Sequence, residues 1–289
     1  MTDTPSLSGI ITAILTPIRD DLTIDHDRLI QHARNLLGDG CSRVSTFGST
    51  GEGVSFSTAQ KQAAHRALLA AGIKPEQLLP AVMSSSVGQA ADEMRDAASL
   101  GCPQVLVLPP YYYRSAGLDG LVSFFEGAYE QAGRPDVGLV LYNIPQMSGI
   151  TITHELVRAL QAGKGARIAG IKDSTGNLES GLAFVKAFPT LSIFTGDDRV
   201  LPHLLRAGGA GMIGGLPNLY ARDLAALYRL RDGEEAERLA ALAAERIVEI
   251  DSTGGLMALK AGLAKQHNDP QWRRALPPLD GGFRAGANS

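Results

Sequence analysis

The sequence predicts an α/β fold, a (β/α)8 TIM barrel with a C-terminal helical extension. Three observations lead there. Short β-like runs alternate with longer helical ones, and eight such strand–helix units are complete by residue 231. The strand runs are apolar throughout rather than alternating, as in a parallel sheet buried on both faces. The first run ends in Thr16-Pro17, without the glycine-rich turn that opens a doubly wound nucleotide-binding sheet. A chain of 289 residues can be absorbed by one such barrel.

The elements follow in order. Residues 10–15, 43–47, 78–83, 104–108, 137–142, 166–172, 191–195 and 210–213 read as strands. Residues 24–37, 58–71, 87–100, 118–132, 153–161, 178–188, 199–207 and 218–231 read as the helices between and after them. In the first helix Ile24, Leu29, Ile30, Ala33, Leu36 and Leu37 recur at helical spacing, with Asp25 and Asp27 near its start. Ser57 reads as the cap of the Ala-rich second helix. These units give a barrel over residues 1–231. In 234–265 Ala and Leu repeat every three or four residues, so 232–267 is expected to be helices packed on the barrel. Residues 268–289, with Pro277-Pro278 and Gly281-Gly282, are expected to form a loosely ordered tail.

Composition narrows the function classes. With 44% hydrophobic and 20% charged residues the chain is no disordered polymer. A net charge of −3 and a pI near 6.1 argue against nucleic acid as a partner. No apolar run is long enough for a transmembrane helix, so no membrane partner is expected. The opening MTDTPSLSG lacks the basic start and apolar core of a signal peptide. Two cysteines, Cys41 and Cys102, make no disulfide framework, and a cytoplasmic protein is expected.

In a barrel of this kind the chemistry sits at the C-terminal ends of the strands. Hydroxyls and glycines dominate those positions. Of the seven lysines only Lys172 ends an apolar strand, after Ile168-Ala169-Gly170-Ile171. Desolvation there favours the neutral amine, a nucleophile able to attack a ketone. A plain Lys172–Asp173 pair, or a salt bridge inside the barrel, is the alternative from position alone. The six histidines are scattered with no HxH or HExxH spacing, so no metal site is expected and most should be surface or core-edge residues. The formal GxGxxG at 209–214 opens no helix and fails the test for a dinucleotide site. Residues 48–53 read as a turn whose N–H groups and hydroxyls cradle a small anion such as a carboxylate, or as a plain tight turn. Residues 111–113, three tyrosines, suit either the site or an interface, and Tyr142 either the site or the core.

Taken together, Thr16-Pro17, GSTGE at 48–52, PPYYY at 109–113, YNIPxxSG at 142–149, GIKDSTG at 170–176 and GDD at 196–198 appear in an order and spacing that resemble one family. It is the dihydrodipicolinate synthase / N-acetylneuraminate lyase family, and the resemblance covers about residues 8–265. The resemblance implies a class I mechanism with no metal or organic cofactor. It implies that Lys172 forms an imine with pyruvate or another 2-keto acid, and that Tyr142 is the general acid/base. It implies that Ser49 and Thr50 hold the carboxylate, with Gly48 and Ile213 also lining the substrate. Tyr112, reaching over from a neighbouring subunit, would complete a proton relay with Ser49. Homotetramers built as dimers of dimers are implied as well.

The resemblance also ranks members of the family. The synthase pattern carries an arginine for the substrate carboxylate where this chain has Met147, which cannot make that contact. The sialate lyases carry G-Y-D-E where this chain has Gly196, Asp197, Asp198 and Arg199, and a serine where it has Gly215. The expectation is therefore a pyruvate-dependent aldolase or dehydratase for a 2-keto-3-deoxy or 4-hydroxy-2-keto acid. The synthase that joins pyruvate to aspartate semialdehyde is the alternative, N-acetylneuraminate lyase comes next, and a non-catalytic keto-acid-binding barrel comes last.

Overall fold

The computed structural model describes residues 7–280 except 164. Eight strands form a parallel sheet: β1 (Gly9–Ala13), β2 (Arg43–Ser45), β3 (Ala81–Val82), β4 (Gln104–Val107), β5 (Gly138–Asn143), β6 (Ile168–Asp173), β7 (Ser192–Thr195) and β8 (Gly211–Gly214). Their order is β2-β1-β8-β7-β6-β5-β4-β3. The ring is drawn shut between its two ends by Leu79 N–H donating to the Val44 carbonyl and Ala81 N–H to the Thr46 carbonyl, each at 2.9 Å. This is the (β/α)8 barrel that the sequence predicts.

The helices are α1 (His26–Gly38), α2 (Thr58–Ala70), α3 (Val87–Ser99), α4 (Leu118–Gln131), α5 (Pro145–Ser148), α6 (His154–Ala162), α7 (Leu178–Ala187), α8 (Leu201–Arg206) and α9 (Pro217–Leu230), then α10 (Glu234–Ser252) and α11 (Leu256–Gln266) of the extension. Ser57 caps α2 as expected, in a reciprocal pair with Gln60. Asp25 caps α1 by accepting the Arg28 N–H.

The uninterrupted apolar strands are explained by two cores. Ile10, Leu139, Leu141, Ile171, Ile193 and Met212 face the helices. Their chain neighbours Ile11, Val140, Tyr142, Phe194 and Ile213 fill the barrel interior. Period-2 alternation is present, but both faces are buried, so it leaves no polar trace in the sequence.

The run 234–265 forms helices, two of them, parted where Gly254 and Gly255 adopt φ of 116° and 56°. Two segments differ from expectation. β3 is two residues long because Pro80 has no N–H to give a ladder, although the Pro80 carbonyl still accepts the Leu106 N–H. The expected loose tail is packed as far as the structure describes it. Pro270–Arg273 forms a 3-10 turn, Trp272 packs with Leu15, Leu259 and Leu263, and Ala275 and Leu276 are buried. The expectation for 281–289 lies outside the described residues.

Candidate active site

The site is built from strand register. β5 and β6 pair so that Tyr142 lies directly beside Lys172. Partnered residues of neighbouring strands point to the same face, here the barrel interior. The Lys172 Nζ stands 4.0 Å from the centre of the Tyr142 ring. Both side chains are buried. Tyr142 Oη and the Ser49 hydroxyl are 3.3 Å apart, which joins the loop after β2 to the ends of β5 and β6. Ser174, two residues beyond Lys172 and so on the same face, also acts on the Tyr142 phenol. Burial pushes the Tyr142 phenol up, but the Lys172 charge and hydrogen bonds with Ser49, Lys172 and Ser174 together pull harder, and the phenol sits below its usual range.

The alternate residues brace this group from behind. Asn143 donates to Asp173 at 3.0 Å and accepts the Ile152 N–H, which fixes the entry to α6. Asp173 also accepts the Thr175 N–H. Its carboxylate is thus engaged by Asn143 and Thr175 rather than by Lys172, so the simple Lys172–Asp173 pair does not form.

Room for the amine comes from Gly196 at the end of β7. A Cβ there would lie 1.9 Å from the Ser174 hydroxyl and 3.2 Å from Lys172 Cε. Gly196→Ala is expected to displace Ser174 and the lysine stem and to lower kcat/KM by roughly 10–100-fold. Steady-state kinetics beside a melting curve checks this, since an unfolded variant would show in the latter.

The loop 48–53 is a tight turn in which Gly53 N–H donates to the Gly48 carbonyl and Glu52 N–H to the Ser49 carbonyl. Thr16, at the end of the first unit, donates its hydroxyl to the Gly51 carbonyl at 2.8 Å. Gly53 packs against the Phe47 carbonyl so closely that a Cβ would fall 1.6 Å from its oxygen. Among the described residues no group accepts the N–H of Ser49 or Thr50. Two free N–H groups beside two hydroxyls are the makings of a carboxylate cradle. Ile213 shares the interior cluster with Tyr142.

Tyr112 is not brought to this group within one chain. It is 76% exposed and meets Tyr113 edge-on. Tyr113, Met147 of α5 and Val54, all beyond strand ends, are likewise exposed. Beyond β7, Asp197 is engaged by Arg199 at 2.6 Å, while Asp198 is buried. Burial, with Asp197 beside it, holds the Asp198 carboxyl well above the usual carboxylate range. Among the described residues no three His, Cys, Asp or Glu side chains converge as a metal site would require. Two of the six histidines are buried. His32 is buried against Asn218, and His65 is buried against Thr46.

Sequence reasoning gave no role to Ser174 or Gly196. The first was findable from its i+2 spacing to Lys172. The second depends on an approach between strands that spacing does not encode.

A barrel of this topology, with a lone lysine and a tyrosine side by side in its mouth, has the architecture of a class I lyase. The comparisons agree: residues 6–264 match the model of the dihydrodipicolinate synthetase family, and the chain belongs to that family. It is 32% identical over 282 residues to a DapA-like lyase of Chloroflexus aurantiacus, covering 94% of this chain and 91% of that one. It is similar in structure to the dihydrodipicolinate synthase of Agrobacterium tumefaciens, with a TM-score of 0.87 and 31% identity over 94% of this chain and 93% of that one. A variant of the 2-keto-3-deoxygluconate aldolase of Sulfolobus solfataricus, in complex with L-2-keto-3-deoxy-galactonate, shares the fold at a TM-score of 0.84 and 22% identity, over 94% of this chain and 89% of that one. The protein is thus an enzyme of the class I lyase, or aldolase, type. No helix of the described residues is long and apolar enough to cross a membrane.

Proposed function

We infer that the protein is a cytoplasmic Schiff-base lyase, an aldolase or dehydratase, that handles pyruvate and a 2-keto-3-deoxy or 4-hydroxy-2-keto acid through an imine on Lys172. The observation that carries this reading is the Lys172–Tyr142–Ser49 group in the barrel mouth, with its lysine and tyrosine buried. The amine attacks C2 of the keto acid, and the C–O π pair moves onto oxygen. Tyr142 gives that oxygen a proton and takes one from the nitrogen, leaving a carbinolamine. Tyr142 then protonates that hydroxyl, the nitrogen lone pair expels it as water to give the iminium, and the tyrosine is left as its phenolate. The iminium accepts the electron pair of the C3–C4 bond as it breaks, while the C4 hydroxyl passes its proton to Tyr142. Condensation is the reverse. Ser49 and Thr50, with Gly48 and Ile213 around them, hold the keto acid's carboxylate.

Met147 supports the sugar-acid reading over the synthase. Its exposed thioether offers no cation to a second carboxylate. The synthase stays as the second reading because a relative named 4-hydroxy-tetrahydrodipicolinate synthase, from Gluconacetobacter diazotrophicus, is 30% identical over 82% of this chain. Asp197 engaged by Arg199 and Asp198 buried argue against the polyol contacts of N-acetylneuraminate lyase. The exposed Tyr112 and Tyr113 suit burial between subunits of a homotetramer, with Tyr112 of a neighbouring subunit completing the relay at Ser49.

Borohydride trapping with pyruvate, read by intact mass and peptide mapping, tests the nucleophile. One adduct, on Lys172, is expected. A panel of 2-keto-3-deoxy acids against pyruvate plus aspartate semialdehyde then tests the substrate. Turnover of the semialdehyde pair rivalling the best sugar acid would reverse the ranking.

A further inference from the structure

One buried ion pair joins the carboxylate loop to the C-terminal extension. Glu52 closes the loop that carries Ser49 and Thr50, with a left-handed φ of 55°. Its carboxylate is fully buried, 2.5 Å from Nζ of Lys260 on α11, which is equally buried. Its other oxygen accepts the Leu276 N–H at 2.6 Å. Lys260 also donates to the Thr16 carbonyl at 3.1 Å and to the Arg274 carbonyl. Thr16 is the residue whose hydroxyl pins the Gly51 carbonyl. Leu259, next on α11, approaches the same loop from another side. A Cβ on Gly215 would lie 3.0 Å from Leu259 Cδ1 and 3.4 Å from the Thr50 hydroxyl.

Stability alone is a poor account of this arrangement. Two charges taken fully out of water gain little over an apolar pair of the same volume. A glutamate at left-handed φ persists only where its surroundings hold it. What the pair does achieve is geometric: it fixes the end of the loop, the turn after β1 and the segment 274–276 relative to one another.

We propose that Glu52 and Lys260 are positioning residues for the keto-acid site, through which α11 and residues 274–276 set the placement of Ser49 and Thr50. Neither side chain touches the substrate. The proposal rests on the reading of this loop as the carboxylate cradle, and its signature is keto-acid affinity rather than the chemical step.

The experiment is borohydride trapping at Lys172 across a range of pyruvate concentrations, for the full chain and for Lys260→Met, with kcat and KM measured beside it. The variant is expected to need about 10–100-fold more pyruvate for half-saturation, because a displaced loop loses its aligned donors. Adduct at saturating pyruvate should still reach one per chain, with kcat nearly unchanged. Should Lys260→Met fail to fold, Glu52→Gln/Lys260→Met removes both buried charges and is read in the same way. A lowered melting temperature with an unmoved half-saturation makes the pair merely structural and overturns the positioning role alone. No adduct in the unaltered protein overturns both this role and the functional reading, since the loop then holds no keto acid.

Discussion

Lys172→Ala is expected to abolish pyruvate trapping by borohydride and to lower turnover by on the order of 10⁴-fold or more, since among the described residues no other amine stands where it can form the imine. Among the described residues three lysines are buried. Lys61 lies 2.8 Å from Glu93, and Lys260 lies 2.5 Å from Glu52. Both are ion pairs, and removing either cation strands a buried carboxylate. Lys172 is as buried as an ordinary core residue, yet its neighbours are a tyrosine ring, a serine and a glycine. Among the described residues it has no carboxylate partner.

That contrast gives the substitution a second readout. Replacing Lys172 with a neutral residue removes a buried amine that has no carboxylate partner among the described residues. The melting temperature of Lys172→Met should therefore hold or rise while activity vanishes, the usual sign of a group kept for function at some cost to stability. A Lys172→Met protein that melts well below the parent, or Lys172→Ala that still yields an adduct with pyruvate, would remove the lysine from the role assigned to it.

The legibility of the sequence can be traced residue by residue. The barrel was readable because eight apolar runs spaced by helical ones leave few other ways to bury both strand faces. Lys172 was readable because a charge at the end of such a run has nowhere to go but the mouth. Tyr142 and Ser49 are readable through their motifs, and the register of β5 on β6 supplies the physical reason Tyr142 meets Lys172. What could not be read depends on contacts between distant segments. Leu276 and Glu52 are 224 positions apart. Nothing in a proline-rich tail announces that its backbone N–H meets the side chain of Glu52 in the loop 48–53. The tail reads as loose because prolines and glycines break any period, while Trp272 has a core to join only where α11 lies over Leu15. The short β3 had the opposite cause: its apolar residues were counted, and the missing N–H of Pro80 was not.

Tyr142→Phe separates the two halves of the proposed chemistry. Removing one oxygen leaves the ring against Lys172, so the amine keeps its packing and its place. Imine formation should remain detectable by trapping, while turnover falls by roughly 10²–10⁴-fold, the usual contribution of a positioned acid/base. The pH profile carries the sharper test. The phenol is held below its usual range, with burial opposing and the Lys172 charge and three hydrogen bonds prevailing. It therefore loses its proton at lower pH than a free tyrosine, whose pKa is about 10. An enzyme that needs the protonated phenol should lose kcat/KM on an alkaline limb lying below that value, and Tyr142→Phe should lack the limb. Because Lys172 and Tyr142 sit in contact, the limb reports the pair, and only its disappearance in the variant ties it to the phenol. A variant that keeps full turnover, or that keeps the alkaline limb unshifted, would move the proton shuttle to Ser49, Ser174 or Tyr112 of a neighbouring subunit.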